Sequence, residues 1–468
     1  AAREPPRRAH ETAMAETLTL QQRKSADRST VRAAGAIVLA GIAVKALATC
    51  KESAVAGFYG RSDAMDAFLA AFLIPNLLIN LVAESMNQAL IPTLIRVRLR
   101  EGSERARQLL ASAMTALCIL LAGVAVVMAI LAPAFFPLVA SNFAPAKREL
   151  SIHLYYVLLP CVVVGGLASS CTVVLNAAGR FAVPALAPAV VPLTIVAGAF
   201  VFHGSAGIWA LAAATLAGMA AHAAWMAISA RSSGYGFQLR WYGWTEPLQE
   251  IGRQYAPALL ASVVASSGLL VDQAMAAMLP AGSVSSLVFA GRFVGVALSL
   301  LVGAISSVLG PYLSELAAAE NWPACRAVLR AWAARMAVVS VPVAAALIAG
   351  SRVLVRLVLQ HGAFNPSDTH AVAQVLAMYA LQIPFFLVSR VPYRLIVAMR
   401  RMDLVFYCGA INLILDIILN LVLMRRMGVA GIALATSLWT VSTCAFLWFW
   451  ALRLLGRAER LAARQTRP

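Results

Sequence analysis

Acidic residues are scarce in this chain. It has 20 Asp and Glu against 38 Lys and Arg, a formal net charge of +18, and the four types together make up only 12% of it. Soluble domains carry about 25% charged residues, so a soluble globule with a single core is excluded. Lysine is scarcer still, with only Lys24, Lys45, Lys51 and Lys147. The seven cysteines (Cys50, Cys118, Cys161, Cys171, Cys325, Cys408, Cys444) are scattered, none in a CxxC pair. They read as small buried hydrophobes, which argues against a disulfide framework or a metal site. The six His are dispersed and no HExxH occurs. The Walker loop of ATP-driven export is missing, and so is a GxSxG nucleophile elbow. No cofactor or metal is called for, and no pair of acids stands in a catalytic setting. On these residues alone an integral-membrane transferase stays open.

What is present is apolar sequence. Hydrophobic residues make up 61% of the chain, and its mean hydropathy is +0.80. A membrane-spanning helix needs about 20 apolar residues, and such runs recur. Their approximate cores are 33–58, 64–95, 108–138, 150–177, 182–203, 206–230, 255–280, 284–318, 328–359, 371–398, 403–424 and 429–453. The alternating strands of a barrel are absent. The expected fold class is an all-α polytopic membrane protein of about twelve transmembrane helices. Several runs exceed the bilayer, and Pro75, Pro160, Pro384 and Pro392 are candidate kink sites. Residues 1–30 are polar and basic with no apolar core, unlike a signal peptide. They are expected to be a disordered cytoplasmic tail, and Met14 is an alternative start.

Arginine sets the orientation. Arg96, Arg98, Arg100, Arg105 and Arg107 follow the second span; Arg231, Arg240 and Arg253 the sixth; Arg326, Arg330 and Arg335 the eighth. Arg394, Arg400 and Arg401 follow the tenth, and Arg453, Arg457, Arg460 and Arg464 the last. All fall on the side of the basic tail, which the positive-inside rule makes cytoplasmic for both termini. The same rule explains the net charge without nucleic acid. Arg61, Lys147, Arg148, Arg425 and Arg426 are exceptions on the opposite side.

The halves look duplicated. "HGSAGIWALAAAT" (His203–Thr215) resembles "RMGVAGIALATS" (Arg426–Ser437), with Gly207 matching Gly431, and "LNAAGR" (Leu175–Arg180) matches "LIVAMR" (Leu395–Arg400) more weakly. The implied repeat is six spans, and an even number makes it parallel, with a site expected between lobes. The expected division is a tail at 1–30, lobes at 31–231 and 255–455, a cytoplasmic linker at 232–254 and a second tail at 456–468.

Ionisable residues inside a bilayer cost about 2.5–3.5 kcal/mol on insertion scales, so each is a candidate for a wet cavity or a partner. The first span holds Lys45, Lys51 and Glu52. Lys45 and Glu52 lie near one face, whereas Lys51 shares their cavity only if the helix bends. In the second span Asn76, Asn80 and Glu84 recur every four residues, with Asn87 near the same face and Asp66 near the outer end. Asp66 can cap a helix start or pair with a lysine of the first span. The second half offers Asp272, Gln273, Arg292, Arg390, Arg394 and the stripe Asn412, Asp416, Asn420. Interhelical hydrogen bonding explains either stripe as readily as a binding site does.

The segment "CKESAVAGFYGRSDAMDAFLAAFLIPNLLINLVAESMNQALIPTL" resembles the MurJ/MviN family of lipid II flippases in the MOP exporter superfamily. "LNAAGRFAVPALAPAVVP" (Leu175–Pro192), "AGSVSSLVFAGR" (Ala281–Arg292) and "LQHGAFNPSDT" (Leu359–Thr369) extend the resemblance over about residues 30–450. It implies a V-shaped, two-lobed bundle whose central cationic cavity takes the diphosphate and sugar of an undecaprenyl-linked precursor. Carried over residue by residue, the family's two first-span arginines stand here as Lys45 and Lys51, its second-span aspartate as Asp66, and its serine and arginine of the eighth span as Ser285 and Arg292. The sequence departs from the family at Asn80, where a basic residue is usual, and at Gly291, where an aspartate is. Members often have fourteen spans, and the last pair contributes to a lipid-tail groove.

The leading expectation is thus a flippase moving a polyprenyl-diphosphate-linked saccharide (lipid II or a related precursor) to the periplasmic leaflet by alternating access. It is placed in the bacterial inner membrane, as a monomer beside membrane lipids and glycan polymerase machinery. Lys45, Lys51 and Arg292 would hold the diphosphate, Glu52 and Asp66 would position the cations, and Asn76, Asn80 and Ser285 would meet the sugar. Membrane potential or a cation gradient would drive it. Three alternatives stay open: an exopolysaccharide or O-unit flippase, a cation-coupled MATE-type drug exporter using Asp272 and Asp416, and a non-transporting scaffold of a glycan synthase.

Overall fold

The computed structural model describes residues 39–465 except 141, 233–237 and 400; side chains at 83, 84, 86–88, 138, 139, 256, 258, 261, 264, 265, 303–308 and 462–465 are outside the description. Among the described residues all regular structure is helical. The first helix, α1, covers 39–59. Then follow α2 (Asp63–Glu101), α3 (Ser103–Val139), α4 (Pro145–Leu158), α5 (Pro160–Ala177), α6 (Ala182–Leu186), a 3₁₀ turn (Ala187–Ala189), α7 (Val190–Ala206) and α8 (Ile208–Arg231). After an extended segment come α9 (Glu246–Ala276), α10 (Ser283–Ala318), α11 (Trp322–Leu359), α12 (Pro366–Ala380), α13 (Gln382–Ala398), α14 (Met402–Met427) and α15 (Val429–Gln465).

Ten spans among the described residues are long and apolar enough to cross a membrane. The two further spans expected from the sequence are also helical, α1 and α9. Charge marks α1 out, since Lys45, Lys51 and Glu52 lie in it. The outward faces are apolar: Ile130 is 73% exposed, Phe200 72% and Ile414 61%. Such surfaces suit lipid rather than water.

Helix boundaries follow from local chemistry. Ser62 caps α2 by accepting from the Met65 N–H at 3.2 Å, and Asn365 and Asp368 form a capping box at α12. Pro160 ends the preceding helix and opens α5. The expected span 371–398 divides similarly, between α12 and α13 at Leu381. Pro75 and Pro392 instead lie inside unbroken helices, α2 and α13. The last helix runs on to Gln465, past the apolar run.

Gly207 and Gly428 join α7 to α8 and α14 to α15 with nearly the same backbone angles, φ 53° and ψ −131° against φ 58° and ψ −138°. Only glycine adopts that conformation without strain. The structural counterpart of Gly207 is therefore Gly428, which corrects the match to Gly431. Gly431 serves a different need, because a side chain there would meet the Leu423 carbonyl at 2.3 Å. Packing repeats along with the turns. α2 packs on α5, α5 on α8 and α8 on α7; likewise α10 packs on α13, α13 on α15 and α15 on α14. Across these two sets, α9 lies against α2 and α3, and α10 against α2.

Candidate functional site

A cavity of about 640 Å³ opens between α1, α10 and α11. Its charged lining is Lys45, Lys51, Glu52 and Arg292; Phe289, Leu347, Leu354 and Val358 supply apolar walls. Both lysines and the glutamate of α1 therefore reach one cavity, as do the cation of α10 and Gly291 beside it. Glu52 is shared: Lys51 Nζ lies 2.6 Å from its Oε1, and Arg292 Nε lies 3.2 Å from the same oxygen. Lys45 has no ionic partner among the described residues. Three cations and one carboxylate give the lining a formal excess of two positive charges. In a water-poor setting such an excess attracts an anion more strongly than it does in bulk water.

Asp66 is elsewhere. It is only 1% exposed, and it faces α10 rather than the lysines of α1, which overturns that pairing. Its Oδ2 accepts from the Gly282 N–H at 2.7 Å and its Oδ1 from the Ser285 N–H at 2.9 Å. The reason is that α10 begins at Gly282 with no side-chain cap of its own, and the free N–H groups of a helix start favour a carboxylate. Lys147 Nζ completes the contact, 3.1 Å from Asp66 and 2.6 Å from Asp63. Ser285 is fully buried in this contact and its hydroxyl bonds the Gly282 carbonyl at 3.2 Å. It does not line the cavity, contrary to its expected place beside a sugar.

More bonds join the same end of the molecule. Arg61 donates to the Gly282 carbonyl at 3.1 Å and to Asp368 at 3.2 Å. The Ala363 N–H donates to the Gly57 carbonyl at 2.7 Å, and the Ser53 hydroxyl to the Val358 carbonyl at 2.6 Å. Gly362 sits so close that a Cβ would lie 2.2 Å from the Gly57 oxygen. These contacts latch the α1–α2 turn onto the starts of α10 and α12. Sequence reasoning set Arg61 and Lys147 aside as exceptions to the charge rule. The available signal was the pair Asp63 and Asp66, which calls for cations nearby.

Asn76 and Asn80 of the α2 stripe do not line the cavity. Asn80 is exposed and its amide donates to the Asn76 carbonyl one turn back, at 2.9 Å. The side chains of Glu84 and Asn87 lie outside the described residues. Asn412 is interhelical glue, donating to Thr443 at 2.8 Å. Its neighbours on the stripe do more. The Asn420 amide donates to Asp272 at 2.8 Å and to Asp416 at 3.2 Å, while the Thr436 hydroxyl donates to Asp272 at 2.9 Å. All four are buried. Among the described residues, Asp416 Oδ2 and Asn420 Oδ1 have no hydrogen-bond partner and no basic residue pairs with either carboxylate. This cluster joins α9, α14 and α15 and lies apart from the cationic cavity. Gln273, next to Asp272, is half-buried. Arg390 and Arg394 stay on α13, the first 4.0 Å above the Phe386 ring and the second 6.0 Å above Tyr393.

A family model described as lipid II flippase MurJ matches residues 55–464. A probable lipid II flippase MurJ of Synechocystis sp. is 25% identical over 444 residues, covering 92% of this chain and 83% of the relative. One from Bdellovibrio bacteriovorus is 26% identical over 433 residues, covering 87% and 80%. In fold, the chain resembles a solved lipid II flippase MurJ in an inward closed conformation, with a TM-score of 0.77 at 22% identity over 88% of this chain and 86% of the other. A MATE multidrug transporter of the MOP superfamily gives 0.75 at 14% identity when inward-facing, over 89% of this chain and 95% of the other. The outward-facing form of a MATE transporter gives 0.58 at 16% identity, over 91% and 96%. The chain is a multi-pass membrane protein with the transporter fold shared by these structures, and it belongs to the lipid II flippase MurJ family.

Proposed function

We propose that the protein moves a polyprenyl-diphosphate-linked saccharide, lipid II or a close relative, from the cytoplasmic to the periplasmic leaflet. The observation that carries this reading is the excess of positive charge in the cavity of α1 and α10, inside a membrane transporter fold. A diphosphate headgroup supplies the missing negative charge. Lys45, Lys51 and Arg292 would bind it by charge-assisted hydrogen bonds. Glu52 stands in the place of an anion: it holds Lys51 and Arg292 together until the diphosphate competes for both. The lipid tail stays in the bilayer between lobes.

The latch at Asp66 closes the end opposite the arginine-rich loops. With both termini on the cytoplasmic side of the inner membrane, that end is periplasmic. Residues 31–231 and 255–455 then act as the two moving lobes. Outward opening requires Asp66 to release the start of α10, and Arg61 to release Asp368. The buried cluster of Asp272, Asp416, Asn420 and Thr436 is the candidate coupling site. Two carboxylates with open amide and carboxylate oxygens suit one proton or one monovalent cation, whose binding would bias the second lobe.

Gly291 supports a related precursor as a second reading, because it lines the cavity where family members carry an acid. A drug exporter for organic cations is disfavoured: the acidic cluster is sealed in the second lobe and the open cavity is cationic. The test is rescue of cells depleted of their own lipid II flippase, together with transfer of a labelled undecaprenyl-diphosphate sugar. Failure to rescue with intact transfer of another lipid-linked saccharide would select the second reading. Failure of both would reject the proposal.

A further inference from the structure

The non-helical segment 238–245, "QLRWYGWT", carries an apolar surface outside both the cationic cavity and the buried acidic cluster. Leu239 is 53% exposed, Trp241 42%, Tyr242 37% and Trp244 70%. The rings of Trp241 and Trp244 meet edge to face at 5.2 Å. The Arg240 guanidinium lies 5.2 Å over the Tyr242 ring. The segment is fixed to the bundle, since the Tyr242 N–H donates to the Ser112 hydroxyl of α3 at 3.1 Å. Tyr242 and Thr245 also wall a second cavity against Glu101 and Arg105, at the junction of α2 and α3. That junction is the basic end of the molecule.

Three environments are available to this segment, and two are poor. In water it exposes a contiguous aromatic patch. In hydrocarbon a non-helical backbone would have no water to satisfy its remaining N–H and C=O groups. At the headgroup level the rings bury their apolar bodies while the Trp N–H, the Tyr hydroxyl and the backbone stay wet. Charge selects the kind of headgroup through Arg240 on the segment itself, which favours anionic lipid, whereas Arg105 is offset by Glu101 and Glu246 around the second cavity.

We infer that residues 238–245 form an interfacial strap that docks on an anionic phospholipid surface, with Trp241 and Trp244 at the glycerol level and Arg240 on the phosphates. The strap joins α8 to α9, so the lipid surface holds the connection between the two halves of the chain. The inference is independent of what the cavity carries.

The experiment uses the full chain in nanodiscs of phosphatidylcholine, with or without phosphatidylglycerol, and with lipids brominated near the glycerol backbone. The fluorescence difference between the wild-type chain and W241F/W244F isolates the two indoles. The expected result is that brominated lipid quenches this difference, and that phosphatidylglycerol deepens the quenching. R240Q should lose the phosphatidylglycerol effect. The single variants W241F and W244F, each checked by circular dichroism, serve if the double variant misfolds. Quenching by aqueous acrylamide instead of lipid bromine would overturn the inference in favour of a solvated loop. Protection from both quenchers would overturn it in favour of a protein occupant, and equal quenching in both lipid mixtures would remove the anionic preference.

Discussion

The cavity of α1 and α10 and the cluster of α9, α14 and α15 hold charge of opposite sign in opposite ways. In the cavity, Arg292 keeps 56% of its side chain exposed, and one carboxylate serves two of the three cations. In the cluster, Asp272 and Asp416 are 5% and 2% exposed, and amide and hydroxyl donors stand in for cations. The first is an open cavity of about 640 Å³, whereas the second is sealed in the bundle. Size and access, more than the sign of the charge, separate the proposed cargo site from the proposed coupling site.

The comparison can be broken most severely at the cavity. The triple variant Lys45→Ala, Lys51→Ala, Arg292→Ala should abolish rescue of flippase-depleted cells. Each lost charged hydrogen bond is worth about 1.5–3 kcal/mol, or roughly 10- to 100-fold in affinity. Wild-type transport by this variant would refute the cation clamp. A second test acts on the latch between the lobes. Asp66→Asn leaves the α10 start with a weaker cap and Lys147 with only Asp63, and should cost the closed form about 1–3 kcal/mol. Distances between spin labels on α2 and α11 should shift toward the open form. An unchanged distribution would show that the latch does not set the equilibrium.

At the cluster, Asp416→Asn removes one of two carboxylates. Headgroup binding should hold while the dependence of transport on proton or cation gradients weakens by several-fold, on the scale of about 1 kcal/mol of coupling. Loss of binding instead would merge the two regions into one site. Glu52→Gln sharpens the contrast from the other side. It removes the competing anion, so the diphosphate should bind a few-fold tighter, on the scale of about 1 kcal/mol, and turn over more slowly in liposome assays. The smallest effect on transport is expected at Gly428→Ala. Strain at its turn costs about 1–3 kcal/mol, read as a lower melting temperature with transport retained at permissive temperature.

Much of the fold was legible because hydrophobic runs and arginine placement are local properties. The cavity cations Lys45, Lys51 and Arg292 were legible too, since charge inside an apolar run is conspicuous. Asp66 was conspicuous in the same way, yet its partner was not. It bonds backbone N–H groups more than 200 residues away in the chain, and backbone donors carry no residue signature. The stripe of α14 looked uniform, but it splits into glue at Asn412 and a charged cluster at Asp416 and Asn420. That split depends on which neighbour each turn of the helix meets.

The sequence by itself determined a helical membrane protein with a basic side and a repeated unit, because a bilayer admits few solutions for apolar runs of this length. It also determined that cations had to be accommodated within it. Only the tertiary structure decided which charges meet. Glu52 draws Lys51 and Arg292 together from helices far apart in the chain. Asp66 caps a helix it does not belong to, and two buried carboxylates share one amide. Pairing across a bundle depends on helix rotation and depth, and those are fixed by the packing of the whole set rather than by any one segment.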